Sequence, residues 1–344
     1  MPLAWVFSEA LTIKMRCEAS FPKLFWVSYA LVNRSGSSML GGMHLNALSD
    51  RRSFLARGAL LGSMGLLSQV PQAIQLAART TSGSHQLNFG LVTYLWGKDM
   101  SLPELLKACE ASGMLGVETR TQHAHGLEPS LSSQQRQEAR KRFADSPVKL
   151  VGYGSNAEFH DADPNRLRQQ IDLTKQYIRL MHDCGGSGVK VKPNGFAQGV
   201  SKEKTILQIG RALNEVAAYG DDWGQEIRVE AHGRGTSDLS VMKAIFDVAD
   251  HPNVGICWNS NDVDTQGDGL VANFKLVRDR FAKTLHVREL NEGTYPYAEL
   301  MGLLLQSNYQ GWVLLEARTN PSDKIAAMKA QREVFEAMLE AHRL

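Results

Sequence analysis

The sequence predicts a single (β/α)8 TIM barrel, because eight short apolar segments alternate with longer amphipathic segments from residue 87 onward. The chain has 344 residues, of which 43% are hydrophobic, a composition typical of globular proteins. Eight strand–helix units match the usual barrel length of about 250 residues. A doubly wound open sheet is the alternative. It is less well supported, because no G-x-G-x-x-G motif follows the first predicted strand.

Each strand is predicted where a short apolar run is bounded by helix-forming or turn-forming residues. The predicted strands are 88–94, 115–120, 148–153, 188–192, 226–231, 254–259, 283–288 and 312–316. The predicted helices are 103–112, 132–144, 164–184, 202–219, 239–249, 269–281, 297–306 and 322–342. Capping residues support these bounds: Ser101 and Glu104 form a capping-box pattern, Asp163 precedes Pro164, and Gly185 follows the third helix.

The first 78 residues differ in character from the rest of the chain. Arg51 and Arg52 precede Phe54, Leu55 and an uncharged, apolar stretch over 58–70, a pattern that resembles a twin-arginine export signal. That stretch is shorter than the ~20 residues of a membrane span, so no stable membrane span is expected. An N-terminal amphipathic helix is the alternative.

We therefore divide the chain into three parts. A twin-arginine signal normally lies near the start of translation, so residues 1–42 are interpreted as an upstream extension or a start-site artefact. Residues 43–78 form the predicted signal, and residues 79–344 form the barrel. A periplasmic location in a bacterium is the expectation.

Charge and cysteine content exclude several function classes. Residues 79–344 contain 31 Lys and Arg against 33 Asp and Glu, so nucleic acid is not an expected partner. The four cysteines form no C-x-x-C pair, which argues against zinc-ribbon and thioredoxin-type sites. The sequence leaves a homo-oligomer open.

The alternation of apolar and polar residues indicates which side chains point into the barrel. Ile227 and Val229 suit the helix-facing side of their strand, so Arg228 and Glu230 point inward. The same reasoning places a set of polar residues inside the barrel, near the carboxyl ends of the strands. These are Glu118, Arg120, Lys190, Lys192, Glu230, His232, Asn259, His286, Glu316 and Arg318.

Two inward carboxylates, Glu230 and Glu316, need compensation, because an unpaired buried charge costs several kcal/mol. Arg228 and Arg318 could supply it as salt-bridge partners. A divalent cation is the other solution. Two carboxylates, an imidazole and an amide oxygen form a donor set that suits Mn²⁺, Mg²⁺ or Co²⁺ better than structural Zn²⁺.

Four segments resemble the xylose isomerase-like TIM barrel superfamily, in its sugar phosphate isomerase/epimerase group. They are 229–233, 255–259, 286–289 and 311–316, in the order and on the strands expected for that superfamily. The resemblance implies a divalent metal held by Glu230, Asn259, His286 and Glu316, with manganese, magnesium or cobalt favoured and zinc as an alternative. The superfamily usually has Asp where this chain has Asn259, so the predicted site lacks one negative charge.

The resemblance also implies a reaction. It implies a metal-dependent isomerase or epimerase of a sugar or small hydroxy-carbonyl compound, with Glu230 and Glu316 moving a proton through a metal-bound enediolate. Lys192, His232 and Arg318 are predicted substrate contacts. Glu118 is a further candidate contact, although a Glu118–Arg120 pair is favoured. The alternatives are a non-catalytic carbohydrate-binding barrel, suggested by Asn259, and a metal-dependent lyase or dehydratase.

Overall fold

The computed structural model describes residues 87–342, in which eight parallel strands alternate with eight α-helices. The strands are β1 (Asn88–Val92), β2 (Gly116–Arg120), β3 (Lys149–Glu158), β4 (Gly188–Lys192), β5 (Glu226–Glu230), β6 (Val254–Cys257), β7 (Thr284–Val287) and β8 (Trp312–Leu315). The helices are α1 (Leu102–Ser112), α2 (Ser133–Ala144), α3 (Pro164–Cys184), α4 (Lys202–Asp222), α5 (Leu239–Val248), α6 (Gly269–Val277), α7 (Tyr297–Gln306) and α8 (Lys324–Ala341). The predicted barrel is confirmed.

The strands follow one another around a cylinder. The strands from β1 to β6 pair in parallel with their neighbours in sequence, β7 pairs with β8, and β1 also pairs with β8, which gives the order β6-β5-β4-β3-β2-β1-β8-β7. The seam between β6 and β7 is looser, with one isolated bridge between Ile256 and Phe281 and a 2.7 Å bond from His286 N to Trp258 O. All eight strands therefore end at one rim, where active sites of such barrels lie.

The element bounds agree with the sequence prediction to within a few residues, with β3 as the main exception. β3 continues to Glu158, whereas the prediction ended at residue 153. Its pairing shifts register against β2 and again against β4, between Gly154 and Glu158. Glycines in this segment allow the irregular strand to pass close to inward side chains, since a Cβ at Gly152 would lie 2.6 Å from Arg228 Nη1.

The helix ends follow the predicted capping residues. Ser101 and Glu104 form the capping box of α1, and the Asp163 side chain accepts a hydrogen bond from Asn165 N at the start of α3. Gly185 ends α3 at φ 85°, a left-handed conformation that favours glycine. α6 is shorter than predicted, because the chain tightens into a 3₁₀ turn over Arg278–Arg280.

Packing separates an apolar shell from a polar barrel interior. Ile227 and Val229 are completely buried in the large core between strands and helices. Arg228 and Glu230, on the opposite side of β5, are almost as deeply buried, at 1% and 3% exposure. The alternation inferred from the sequence is therefore observed. It carries charged groups into the centre of the barrel.

The predicted twin-arginine segment and the upstream extension lie outside the described residues. Among residues 87–342, no helix combines the length and the apolar character that crossing a membrane requires.

Candidate active site

The polar strand ends enclose a cavity of about 210 Å³ at the rim of the barrel. Its lining residues come from β2, β4, β5 and the segments that follow β1, β5, β6 and β8: Tyr94, Arg120, Lys192, Glu230, His232, Asn259, Glu316 and Arg318. A larger groove of about 1180 Å³ lies beside α1 and α2, but none of these strand-end residues lines it. The chemistry-bearing residues thus converge on the smaller cavity.

Glu230 forms a buried ion pair with Lys190, which points inward from β4. The Lys190 ammonium contacts Glu230 Oε2, and both side chains are at most 3% exposed. Burial alone would raise the pKa of Glu230, but the ammonium and other nearby cationic groups hold that pKa below its ordinary value. Burial likewise opposes the charged form of Lys190, and the Glu230 carboxylate raises the pKa of Lys190. Both groups are therefore charged, and Glu230 Oε1 is not used by this pair.

Glu316 is paired with Arg120 across the barrel. Arg120 Nη1 lies 2.9 Å from Glu316 Oε1, and the guanidinium also lies 5.0 Å from the centre of the Tyr94 ring. The pair joins the end of β2 to the residue after β8. As with Glu230, one carboxylate oxygen is held by a cation, and the other is available to the cavity.

His286 and Glu118 form a fully buried group behind the cavity. His286 Nε2 lies 3.3 Å from Glu118 Oε1, and His286 Nδ1 lies 4.0 Å from Glu230 Oε1. Burial favours the neutral imidazole, but Cys257 and the Glu118 carboxylate raise the pKa of His286 well above its usual value. Burial in turn opposes the ionised form of Glu118, and His286 lowers the pKa of Glu118.

The donor atoms at this position fit the predicted divalent cation. One ligand atom from each of Glu230, His286 and Glu316 lies within 4.8 Å of the other two. Among residues 87–342, neither buried ring nitrogen of His286 has a hydrogen bond of good geometry; Nε2 faces Glu118 Oε1 at 3.3 Å, and Nδ1 remains for a ligand. Asn259, which is 4% exposed, lines the adjoining cavity. Two carboxylates, an imidazole and an amide oxygen are together suitable ligands for a divalent cation.

The three rim residues predicted to contact substrate all line the cavity. His232 Nδ1 lies 2.7 Å from Asn194 Oδ1, and burial lowers the pKa of His232, which favours the neutral ring. Lys192 Nζ lies 3.9 Å from Glu158 Oε1. Burial and the nearby Lys190 ammonium lower the pKa of Lys192. Arg318 is exposed, and its backbone N–H donates to Glu289 Oε1 at 3.0 Å.

Two pairings proposed from the sequence are corrected by the structure. Glu118 does not pair with Arg120, because Arg120 reaches Glu316 and Glu118 faces His286. Arg228 does not compensate Glu230, because its guanidinium lies lower in the barrel against Glu226. Glu118 is also completely buried and does not line the cavity, so the structure places this predicted substrate contact behind the site.

Sequence reasoning missed Tyr94 and the part played by Lys190. Alternation placed Lys190 inside the barrel but suggested no partner for it. Tyr94 lies beyond the end of β1 and lines the cavity beside Arg120. Its position two residues after Val92, on the inward side of the strand, was the available signal.

Solved structures similar to this chain share its fold. An L-ribulose 3-epimerase is 16% identical and has a TM-score of 0.65, covering 75% of this chain and 96% of its own. The IOLI protein, solved with a bound zinc atom, is 15% identical with a TM-score of 0.64, covering 74% and 99%. A probable 3-DHS dehydratase from Bacillus anthracis is 14% identical with a TM-score of 0.60, covering 73% and 99%.

No curated protein sequence matches this chain significantly. The family model of the xylose isomerase-like TIM barrel matches residues 106–338, which is more than half of the chain. The match spans β2 to β8 and includes all the acids and the histidine described above. The chain therefore belongs to the xylose isomerase-like TIM barrel family.

Proposed function

We propose that this protein is an isomerase or epimerase that moves a proton within a sugar or small hydroxy-carbonyl compound bound at the barrel rim. One observation carries the proposal. Two buried carboxylates, Glu230 and Glu316, face the same 210 Å³ cavity, and each has one oxygen held by a cation and one available. The sugar epimerases among the structural neighbours support the same class of reaction.

The two acids supply the proton transfer. Lys190 keeps Glu230 ionised, so its available oxygen can accept a proton from a carbon beside the substrate carbonyl. Glu316 faces the cavity from the other side of the barrel, where it forms an ion pair with Arg120. Return of the proton to the neighbouring carbon is isomerisation, and its return to the opposite face of the same carbon is epimerisation. Two acids facing one small cavity are suited to either outcome.

Metal dependence is part of the proposal. Glu230, Asn259, His286 and Glu316 would hold a manganese, magnesium, cobalt or zinc ion, and zinc is the metal bound by one structural neighbour. A carboxylate oxygen has two lone pairs, so the oxygen that contacts Lys190 or Arg120 can also ligate the ion and leave the other oxygen for the proton. A bound divalent ion supplies Lewis-acid stabilisation of negative charge on a substrate oxygen. Glu118 fixes the His286 ring from behind, in the way that a carboxylate orients a metal-binding histidine.

The residues at the rim orient the substrate in this proposal. The Asn194 amide nitrogen donates to Glu158, so Asn194 Oδ1 is the atom that faces His232 and accepts a hydrogen bond from His232 Nδ1. The other ring nitrogen of the neutral His232, Nε2, is therefore an acceptor. Tyr94, Lys192 and Arg318 add donors around the same cavity. A polyhydroxylated ligand needs this mixture of donors and acceptors.

The test is solvent exchange in D₂O with the purified full-length protein and a panel of ketoses and aldoses, followed by proton NMR. Deuterium appearing on the carbon beside the carbonyl supports proton transfer. Glu316→Gln should lower the exchange rate by at least about 100-fold, since general acid–base groups contribute 10²–10⁴. Glu226→Gln, the matched change at the other end of the barrel, should retain exchange. An unaltered rate in Glu316→Gln would remove Glu316 from the mechanism.

Two other outcomes of this experiment are informative. Sugar binding without exchange on any substrate would indicate a carbohydrate-binding barrel, the alternative suggested by Asn259. Loss of water from the substrate would indicate a dehydratase, the reaction class of another structural neighbour.

We also propose that the chain is exported through the twin-arginine route. The support is Arg51 and Arg52 ahead of the apolar stretch at 58–70, all outside the described residues. Replacing both arginines by lysine should retain the protein in the cytoplasm of a bacterial host, as measured by cell fractionation. An unchanged distribution would contradict this proposal.

A further inference from the structure

The cavity wall carries more positive charge than its own acids neutralise. Three of its lining residues are cationic (Arg120, Lys192 and Arg318) and two are acidic. Arg120 is used by Glu316. Glu230 already has a cation of its own, Lys190, which lies behind the wall. Lys192 and Arg318 therefore remain as the two cations at the rim without a matched acid.

Lys192 is confined but poorly paired. Its side chain is only 14% exposed, and its nearest acid, Glu158, lies 3.9 Å away. That distance is beyond hydrogen-bond range, and Glu158 Oε1 already accepts a hydrogen bond from Asn194. The ammonium donates no hydrogen bond within the described part of the chain. A mostly buried cation in this state is stabilised by an anion from solution.

Arg318 is held at the rim by its backbone. Glu289, which is 4% exposed, accepts hydrogen bonds from Arg318 N and Thr319 N at 3.0 and 2.8 Å. Both contacts fix the segment after β8, while the guanidinium remains free to reach a ligand. Within residues 87–342 that guanidinium forms no ion pair or hydrogen bond.

We propose that the substrate carries a carboxylate, as in a uronic, aldonic or keto-sugar acid, and that Lys192 and Arg318 bind it. This inference rests on the proposed function, which leaves the substrate's charge open. The carboxylate lies at the rim, and the hydroxy-carbonyl end lies against Glu230 and Glu316. A divalent ion at those acids would add positive charge, which strengthens the preference for an anion.

Size and donor number favour a single small acid. A cavity of about 210 Å³ is below the ~300 Å³ at which pockets for drug-sized ligands begin, so an oligosaccharide does not fit inside it. The Arg318 guanidinium can bind both oxygens of a carboxylate, and the Lys192 ammonium adds a second cation at the rim. A phosphate monoester presents a third oxygen, which that two-oxygen contact does not engage.

The experiment compares matched ligands by isothermal titration calorimetry on the full-length protein. The panel contains neutral sugars, the corresponding uronic, aldonic and keto acids, and the corresponding phosphate esters. We expect at least one acid to bind about tenfold or more tightly than its neutral counterpart, as charge-assisted hydrogen bonds provide. Lys192→Met and Arg318→Met should each remove most of that preference. Lys243→Met, on the outer surface of α5, should keep it.

Three results would overturn the inference: no acid preferred over its neutral counterpart, a preference that persists in both rim variants, or tighter binding of the phosphate esters. The experiments distinguish failure of this inference from failure of the proposed function. Solvent exchange on neutral sugars without acid preference removes the inference and leaves the function. Acid-selective binding without exchange or turnover removes the function and leaves the inference.

Discussion

The inward side of β5 presents two charged layers that are built differently. In the lower layer, Arg228 is paired with Glu226 at 2.8 Å. In the upper layer, two residues further along the strand, Glu230 is paired with Lys190. Both pairs bury charge in the same barrel, yet their hydrogen bonding differs.

The lower layer is saturated. The Arg228 guanidinium donates to Glu226 Oε2, to Val151 O and to both the carbonyl and the hydroxyl of Ser187, at 2.8 to 3.3 Å. Gly152 and Gly188 leave room for it, because a Cβ at either glycine would lie within 2.8 Å of the guanidinium. Since all three guanidinium nitrogens already donate within the barrel, we assign this group a structural role.

The upper layer keeps unused atoms. In the described part of the chain, both oxygens of Glu118 and both ring nitrogens of His286 are buried and form no hydrogen bonds, although the two side chains face each other at 3.3 Å. Gly154 makes space here, since a Cβ at that position would lie 3.0 Å from Glu118 Oε1. Comparison of the layers shows that both bury charge, and that incomplete hydrogen bonding distinguishes the layer in which we propose the ion site.

The largest stability effect is expected for Lys190→Met, which leaves Glu230 buried without its cation. Removing one partner of a buried pair costs about 3–5 kcal/mol. Lys190 holds the pKa of Glu230 below 4.5, so the stabilisation is present above about pH 4.5 and is lost as the pH falls further. In the variant, burial instead raises that pKa. The loss in the free energy of unfolding, measured with urea, should thus be larger at pH 7 than at pH 4, and it should shrink further below pH 4.

The double variant with Glu230→Gln provides the control for this prediction. It removes both charges, so its stability should depend less on pH than that of Lys190→Met. If Lys190→Met lowers the free energy of unfolding equally at pH 7 and pH 4, Lys190 does not act through Glu230.

Another buried acid, Asp264, sharpens the comparison because it forms no ion pair with any residue of 87–342. Asp264 accepts hydrogen bonds from Tyr295 OH and Asn261 N, and its Oδ1 has no partner. Burial raises the pKa of Asp264 from 3.8 to about 7. The folded state favours the protonated acid, so its contribution to stability declines as the pH rises from about 4 to 7, by at most about 4 kcal/mol.

Asp264→Asn should therefore flatten the pH dependence of stability. At pH 8 its free energy of unfolding should exceed that of the wild type. Urea unfolding at pH 5 and pH 8 measures this difference. A variant with the same pH profile as the wild type would contradict the raised pKa of Asp264.

For Arg228→Met we expect the free energy of unfolding to fall by about 2–3 kcal/mol, less than for Lys190→Met. Glu226 remains 18% exposed, so water can partly replace the lost guanidinium, although Val151 O loses a buried donor. Urea unfolding gives the stability, and solvent exchange in the folded variant should stay near the wild-type rate. A collapse of exchange with the fold intact would show that the lower layer serves the chemistry as well.

The smallest effect concerns Asn259→Asp, which adds a negative charge to the upper layer. Binding of Mn²⁺ or Zn²⁺, measured by calorimetry, should become about tenfold tighter, or about 1.4 kcal/mol. Asn165→Asp, at an exposed position at the start of α3, is the matched control and should leave metal affinity unchanged. Unchanged or weaker binding in Asn259→Asp would show that Asn259 is not a ligand.

Much of the site was predictable from residue order. Alternation along β4, β5 and β7 placed Lys190, Glu230 and His286 inside the barrel, and the structure finds them there. The partners were not predictable. Arg120 and Glu316 are separated by 196 residues, and Glu118 and His286 approach across the barrel rather than along a strand. Such distances depend on how strands tilt around the cylinder, which alternation does not describe.

Local patterns were enough to establish the eight-unit architecture, the caps of the helices and the inward set of charged residues, because each depends on neighbours a few positions apart. Closure of the barrel then decided which charges meet. It matched Arg228 with backbone carbonyls and left His286 and Glu118 with unused atoms. Whether a buried group is saturated or available depends on residues far apart in the chain, which are brought together when the cylinder closes.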